Sequence, residues 1–176
     1  MVEIIPADSE KGKRVLQIVD LDAKLRGKYL IASTVVEDVI ADIIVTHFFP
    51  QSSEKSELLN RLVLQDSGLT FRRKLEIFQS LLDLKHPELN AAHSEHIKKV
   101  DGIIAMRNSL AHHKGNISTD YLLGKELDRI ELLSYKNGEQ KIKQIPVKEF
   151  NQKLDECSRV AFALLELKDK IIAKNQ

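Results

Sequence analysis

Thr70-Phe71-Arg72-Arg73-Lys74-Leu75-Glu76-Ile77-Phe78-Gln79-Ser80-Leu81-Leu82 sets apolar side chains at Phe71, Leu75, Phe78, Leu81 and Leu82. Steps of three and four keep these on one side of an α-helix, Thr70 is a suitable cap, and Pro87 stands beyond the end. The same period extends in both directions. Pro87 or the residues just after it open a further helix through Ile97, Val100 and Ile104, which stops near His113-Lys114-Gly115. Upstream, Leu58, Leu59 and Leu62 form a short helix closed by Gly68. Before it, Ala32, Val36, Val39, Ile40 and Ile43 run toward Phe48 and Phe49, with Pro50 and the polar stretch 51–56 as the stop. The first helix starts at Asp8 or Ser9, carries Val15, Ile18, Val19 and Leu25, and is expected to bend or break at Gly27.

Downstream the period changes. Ile130 to Tyr135 and Gln140 to Ile145 flank Lys136-Asn137-Gly138-Glu139, and Asn-Gly between two β-prone runs signals a hairpin. A two-stranded ribbon is marginal alone, so this one should pack against helices or a partner chain. From Val147, the residues Phe150, Leu154, Cys157, Val160, Ala161, Leu164 and Leu165 return to the helical period. The expected fold is mainly α: an antiparallel helical bundle with a small β-hairpin near residues 130–145. Residues 1–176 read as a single domain without internal repeats, the hairpin and final helix occupying 117–176.

Composition narrows the functional classes. With 27 Lys and Arg against 26 Asp and Glu, the net charge is +1, so nucleic-acid contact must be local and not driven by a global field. Cys157 is the only cysteine, which rules out an intramolecular disulfide or a cysteine-rich zinc site and suits a reducing compartment. The start, Met1 to Asp8, lacks the pattern of a secretory leader. No apolar run reaches the roughly 18 residues needed to span a bilayer, so a cytoplasmic protein without membrane contact is expected.

The chemistry concentrates in Arg107-Asn108-Ser109-Leu110-Ala111-His112. On a helix, Arg107 falls between Val100 and Ile103, within the apolar stripe. A guanidinium there is either bonded to a carboxylate or available to an anion such as phosphate. Five residues separate Arg107 from His112, an offset of about 140° on a straight helix. For both to touch one phosphate, either the helix unwinds near Ala111 or the two line a cleft shared with a second subunit.

This run resembles the HEPN pattern of an arginine, a polar residue and, further on, a histidine. Phe71 to Leu82 followed by a turn and the motif helix is similar to the mannitol operon repressor branch of that superfamily, over roughly Lys28 to Lys114. The resemblance implies a metal-independent endoribonuclease whose two protomers join their motifs at a dimer cleft, in the manner of toxin–antitoxin or antiviral defence proteins. A cognate antitoxin or regulatory protein is then an expected partner beside RNA and a second copy of the chain. In such a site His112 is the base for a substrate 2′-hydroxyl, Arg107 stabilises charge on the phosphorane, Asn108 orients the phosphate or His112, and His113 substitutes or assists.

Lys98, Lys99 and Lys114 flank the motif and are placed to meet a phosphate chain. Arg72, Arg73 and Lys74 sit in a helix's first turn, where positive charge opposes the dipole. They are either an RNA backbone contact or a solvated face. His86, His93 and His96 form a loose cluster, and His93 with His96 could share a helix face. Without a third ligand nearby, no metal or cofactor is expected. The competing reading is a non-catalytic regulatory or protein-interaction module, with Arg107 paired to an internal acid and His112 capping a helix end.

Overall fold

A computed structural model of the chain describes residues 6–49, 51, 53–66, 68–124 and 126–174. Helix α1 (Glu10–Phe48) begins where Ser9 Oγ accepts the Gly12 backbone N–H at 3.0 Å, as a helix cap does. It then runs without interruption for 39 residues, so the break expected at Gly27 does not occur. A helical glycine costs about 1 kcal/mol relative to alanine, and the burial of Leu25 and Tyr29 on either side outweighs it. The Pro50 stop and the first five residues of the start lie outside the described residues.

Helix α2 (Glu54–Leu59) opens on a capping box between Ser53 and Ser56 and passes into a π-helical turn, Asn60–Leu64. Thr70 Oγ1 accepts from the Arg73 N–H to start α3 (Phe71–Lys85). Pro87 starts α4 (Pro87–His112), where its missing N–H is no loss. The segment after α4 holds strand β1 (Lys114–Gly115) and helix α5 (Thr119–Leu123), capped by Ser118. The hairpin is formed by β2 (Arg129–Lys136) and β3 (Glu139–Pro146), and α6 (Val147–Lys174) closes the chain.

The architecture is mainly helical with a small antiparallel sheet. Asn137 (φ 54°) and Gly138 (φ 80°) make the tight turn, both in the left-handed region that Asn-Gly tolerates. Ile130 lies opposite Ile145 and Lys136 opposite Glu139. The ribbon has three strands where two were expected, because β1 joins β2 with Lys114 opposite Leu133 and Gly115 opposite Leu132. That third strand answers the marginal stability of an isolated hairpin.

The chain forms two compact units, one drawn from Met1–Leu30 with Arg107–Leu154, the other from Ile31–Met106 with Asp155–Gln176. In the first, Tyr29 and Phe150 meet edge to face at 5.7 Å between ring centres, with Leu110, Ile130, Leu132 and Ile145 also buried. In the second, Ile40, Ile43, Leu75, Phe78, Leu82, Ile103 and Leu164 are buried, as is Cys157. Burial of apolar area at roughly 25 cal/mol per Å² is the main term holding each unit together. No helix among the described residues is long and apolar enough to cross a membrane.

Candidate functional site

The motif occupies the last turn and a half of α4. The helix keeps its form through His112, and the His113 N–H still donates to the Ser109 carbonyl at 3.0 Å. The unwinding near Ala111 weighed above therefore does not take place, and Gly115 belongs to β1 instead of ending the helix. Arg107 is half-buried, Asn108 and His112 are exposed, His113 is half-buried and Lys114 is exposed. Within one chain, Arg107 and His112 point about 140° apart around a straight helix axis.

The wound end has a specific cause. The final carbonyls of a helix have no partner within it and carry partial negative charge. Here Arg26 of α1 supplies the missing donor: its Nη1 donates to the carbonyl oxygens of both Leu110 and His113, each at 2.7 Å. Asp22, one turn earlier on α1, accepts from Arg26 Nε at 2.8 Å and fixes the guanidinium. Both side chains are mostly shielded from solvent, at 16% exposure for Arg26 and 22% for Asp22.

Beyond the clamp, the backbone of β1 and the following loop is tied to Glu131 of β2. That carboxylate has a fully buried side chain and accepts from Asn116 Nδ2, the Ser118 N–H and the Ser118 hydroxyl, each at 2.9 Å. Arg129 Nε at 3.1 Å and Gln144 Nε2 at 3.2 Å complete the shell. Burial alone pushes the carboxyl pKa up. The donors from Ser118, Asn116 and Arg129 together outweigh that and hold it below the usual carboxylate value. Between α1 and this loop lies a cavity of about 250 Å³ lined by Ile18, Val19, Asp22, Gly115, Asn116, Ile117, Ile130 and Glu131.

The remaining candidate cations lie in the other unit. Lys98 is exposed on α4, and Lys99 is paired with Glu95 at 2.7 Å. Arg72 is paired with Asp101, and Arg73 with Glu76 at 2.8 Å. Lys74, the third member of that basic run, turns inward to a buried ion pair with Glu37 at 2.5 Å. These acids offset the unfavourable placement of positive charge at the start of α3.

His93 and His96 stay neighbours on α4, while His86 pairs elsewhere. His86 contacts His47 at 3.1 Å between ring nitrogens, and His93 contacts Lys170 Nζ at 3.2 Å. Burial lowers the pKa of all three imidazoles. The neighbouring His86 adds to this at His47, and Lys170 adds to it at His93. Among the described residues, no group of three or more His, Cys, Asp or Glu side chains is arranged to hold a metal ion.

Asp22, Arg26 and Glu131 are the residues that reading the sequence missed. A signal existed for two of them. Asp22 stands at the helical spacing of the buried Ile18, Leu25 and Tyr29, and Glu131 interrupts an apolar strand run. A carboxylate on an inward face needs a partner. No family model, curated protein or solved structure matches the chain.

Proposed function

We propose that the chain is a metal-independent endoribonuclease of the HEPN type, acting as a homodimer whose two α4 ends share one cleft. The observation that supports this reading is the straight, clamped end of α4. With His112 exposed and Arg107 about 140° away around the helix, the proposed cleft takes its Arg107 and His112 groups from two facing copies. In that cleft His112 removes the proton from a ribose 2′-hydroxyl. The oxygen attacks the adjacent phosphorus, and the bond from phosphorus to the 5′-oxygen breaks. The partner subunit's His112 returns a proton to that oxygen, giving a 2′,3′-cyclic phosphate and a free 5′-hydroxyl. Arg107 stabilises the charge gathering on the phosphorane oxygens, Asn108 orients the phosphate, and His113 assists beside His112. Dependence on the 2′-hydroxyl restricts the substrate to RNA. Lys114 meets the RNA backbone beside the motif, and Lys98, Arg72 and Arg73 are separate candidate contacts in the other unit. A toxin or defence effector of this type is held in check by a cognate antitoxin, and the cytoplasm is the compartment for both.

One observation favours a second reading, a non-catalytic regulatory or protein-interaction module of the mannitol operon repressor type. Arg72, Arg73 and Lys99 are each paired with an acid of the same chain, which reduces the charge free to hold RNA.

Purified protein incubated with single-stranded and structured RNA in EDTA separates the two. The ribonuclease yields fragments ending in cyclic phosphate, and Arg107→Ala and His112→Ala each lower the rate by about 100-fold or more. Absence of cleavage across varied RNAs points to the regulatory module.

A further inference from the structure

We propose that the open end of one face of the sheet is a platform for single-stranded RNA, on which Tyr135 stacks a base while Lys114 holds a nearby phosphate. The proposal deepens the ribonuclease reading, on which the choice of RNA as ligand rests. Its geometry comes from the register of the sheet. Partners across an antiparallel ladder share a face, and so do residues two apart along a strand. Lys114 stands opposite Leu133 and Leu133 opposite Ile142, so these three form one row across β1, β2 and β3. Tyr135 and its partner Gln140 form the next row on the same side.

The two faces of the sheet differ. Ile130, Leu132 and Ile145 project from the opposite side and are buried. On the Lys114 side, Asn116 and Ser118 close over the Glu131 end by donating to its carboxylate. Past Leu133 the surface opens, with Tyr135 68% exposed and Ile142 44% exposed. The other two tyrosines, Tyr29 and Tyr121, are buried. An exposed aromatic ring on a pleated surface gives a base a flat partner, and such stacking tolerates any base because every base has a π-face.

Charge decides which partner this surface fits. Lys114, Lys136, Lys141 and Lys143 are exposed, and none of them is in an ion pair among the described residues. Glu139, opposite Lys136 at the turn, is the single exposed acid of β2 and β3. Lys136, Lys141 and Lys143 extend from the other face and raise the positive potential around the ribbon. Protein interfaces are depleted in lysine, and lysines along a free edge strand discourage pairing with another strand. A second protein is therefore a poor fit, whereas a phosphate chain meets these charges directly. Lys114 is diagonal to Tyr135 in the ladder, at about 7–8 Å, and follows His112 by two residues. A strand whose phosphate meets Lys114 beside the motif thus reaches the Tyr135 ring with a neighbouring base.

The probe is a short single-stranded RNA carrying 2′-O-methyl groups, which lacks the attacking hydroxyl and so binds without being cleaved. Titrated into the full-length protein, it should shift the NMR ring signals of Tyr135 and leave those of the buried Tyr29 and Tyr121 in place. Tyr135→Ala should weaken binding by about 5- to 150-fold. Tyr135→Phe should keep the affinity, and Tyr135→Leu, which retains apolar area without an aromatic ring, should lose most of it. The side chain is exposed, so all three variants should melt as the wild type does. Lys114→Ala should reduce the slope of log affinity against log salt by about 0.7, as one lost phosphate contact on a single strand does. An unmoved Tyr135 ring at millimolar probe, or wild-type affinity in Tyr135→Ala or Tyr135→Leu, overturns the proposal. A Tyr135 ring that shifts with protein concentration and not with RNA marks a protein contact and overturns it too. If the probe moves Tyr135 but the wild type cleaves no RNA, the ribonuclease reading fails and the platform stands. If the wild type cleaves RNA and Tyr135→Ala binds and cleaves equally well, the platform fails alone.

Discussion

Arg26 on α1 closes the end of α4 by donating to the His113 carbonyl oxygen, and the same nitrogen serves Leu110, three residues earlier. One guanidinium thereby sets the direction in which the chain leaves the motif helix and enters β1. Arg26→Ala removes both charge-assisted bonds and leaves Asp22 without its cation. The expected loss is about 2–3 kcal/mol. At roughly 2–4 °C per kcal/mol for a chain of this size, a thermal melt should fall by several degrees. Arg26→Lys should recover only part of it, because an ammonium cannot keep the planar fork that joins Asp22 to the carbonyls. A melt unchanged in Arg26→Ala would mean that the helix end is held by something else.

Glu131 gives the first pH-dependent prediction. Its folded pKa lies below the ordinary carboxyl value of 4.5, since the donors around it outweigh the cost of burial. The unfolded chain therefore takes up a proton at higher pH than the folded one. The stability that Glu131 contributes is complete above about 4.5 and is lost as pH falls through the lower folded value. Urea unfolding at a series of pH values should show that loss, and Glu131→Gln should reduce it. Glu131→Ala leaves buried donors without an acceptor and should cost about 3 kcal/mol or more at neutral pH.

The contact between His47 and His86 predicts a second, higher window. Burial lowers both imidazoles from 6.5, with His86 reinforcing the shift at His47; at His86, Glu88 opposes it. A histidine with a depressed folded pKa stabilises fully above its unfolded value and loses that contribution as pH falls from 6.5 toward the folded value. Stability should decline as pH falls below 6.5 toward the lowered folded values. His86→Phe should flatten that decline while leaving the carboxylate step in place. Imidazole proton titrations by NMR provide the direct check, with both midpoints below 6.5. Midpoints at or above it would mean that the pair is open to water.

The features legible in the sequence are those written in short-range code. Thr70 as a cap, Pro87 at the head of α4 and Asn137-Gly138 as a turn each need only their neighbours, and each stands where expected. The uninterrupted α1 was not legible, because the local preference of Gly27 for a bend is small beside the burial of Leu25 and Tyr29. Nor was β1, whose two residues take their conformation from β2 and not from their own propensity. In the candidate site, the run from Arg107 to His112 was visible as a pattern, but the clamp on it was not. Arg26 meets Leu110 and His113 across separations of 84 and 87 residues, and nothing in the local sequence of either partner specifies the other. Only the polar intruders Asp22 and Glu131, each on an inward face, hinted that a network was present.

Under the proposed ribonuclease reading, the geometry of α4 makes the oligomeric state decisive for activity. A helix wound through His112 holds Arg107 and His112 about 140° apart, and Arg26 resists the unwinding that would bring them together. If the cleft requires a histidine from each protomer, specific activity must follow the dimer population. At concentrations well below the dimer dissociation constant, the rate per chain should fall in proportion to protein concentration, while sedimentation over the same range shows the shift from dimer to monomer. Adding His112→Ala protein in excess should then suppress the wild type, because most wild-type chains become paired with a partner lacking the second imidazole. A specific activity constant through the dissociation range, or no suppression by the excess variant, would mean that each chain cleaves by itself. The composite cleft would then have no role.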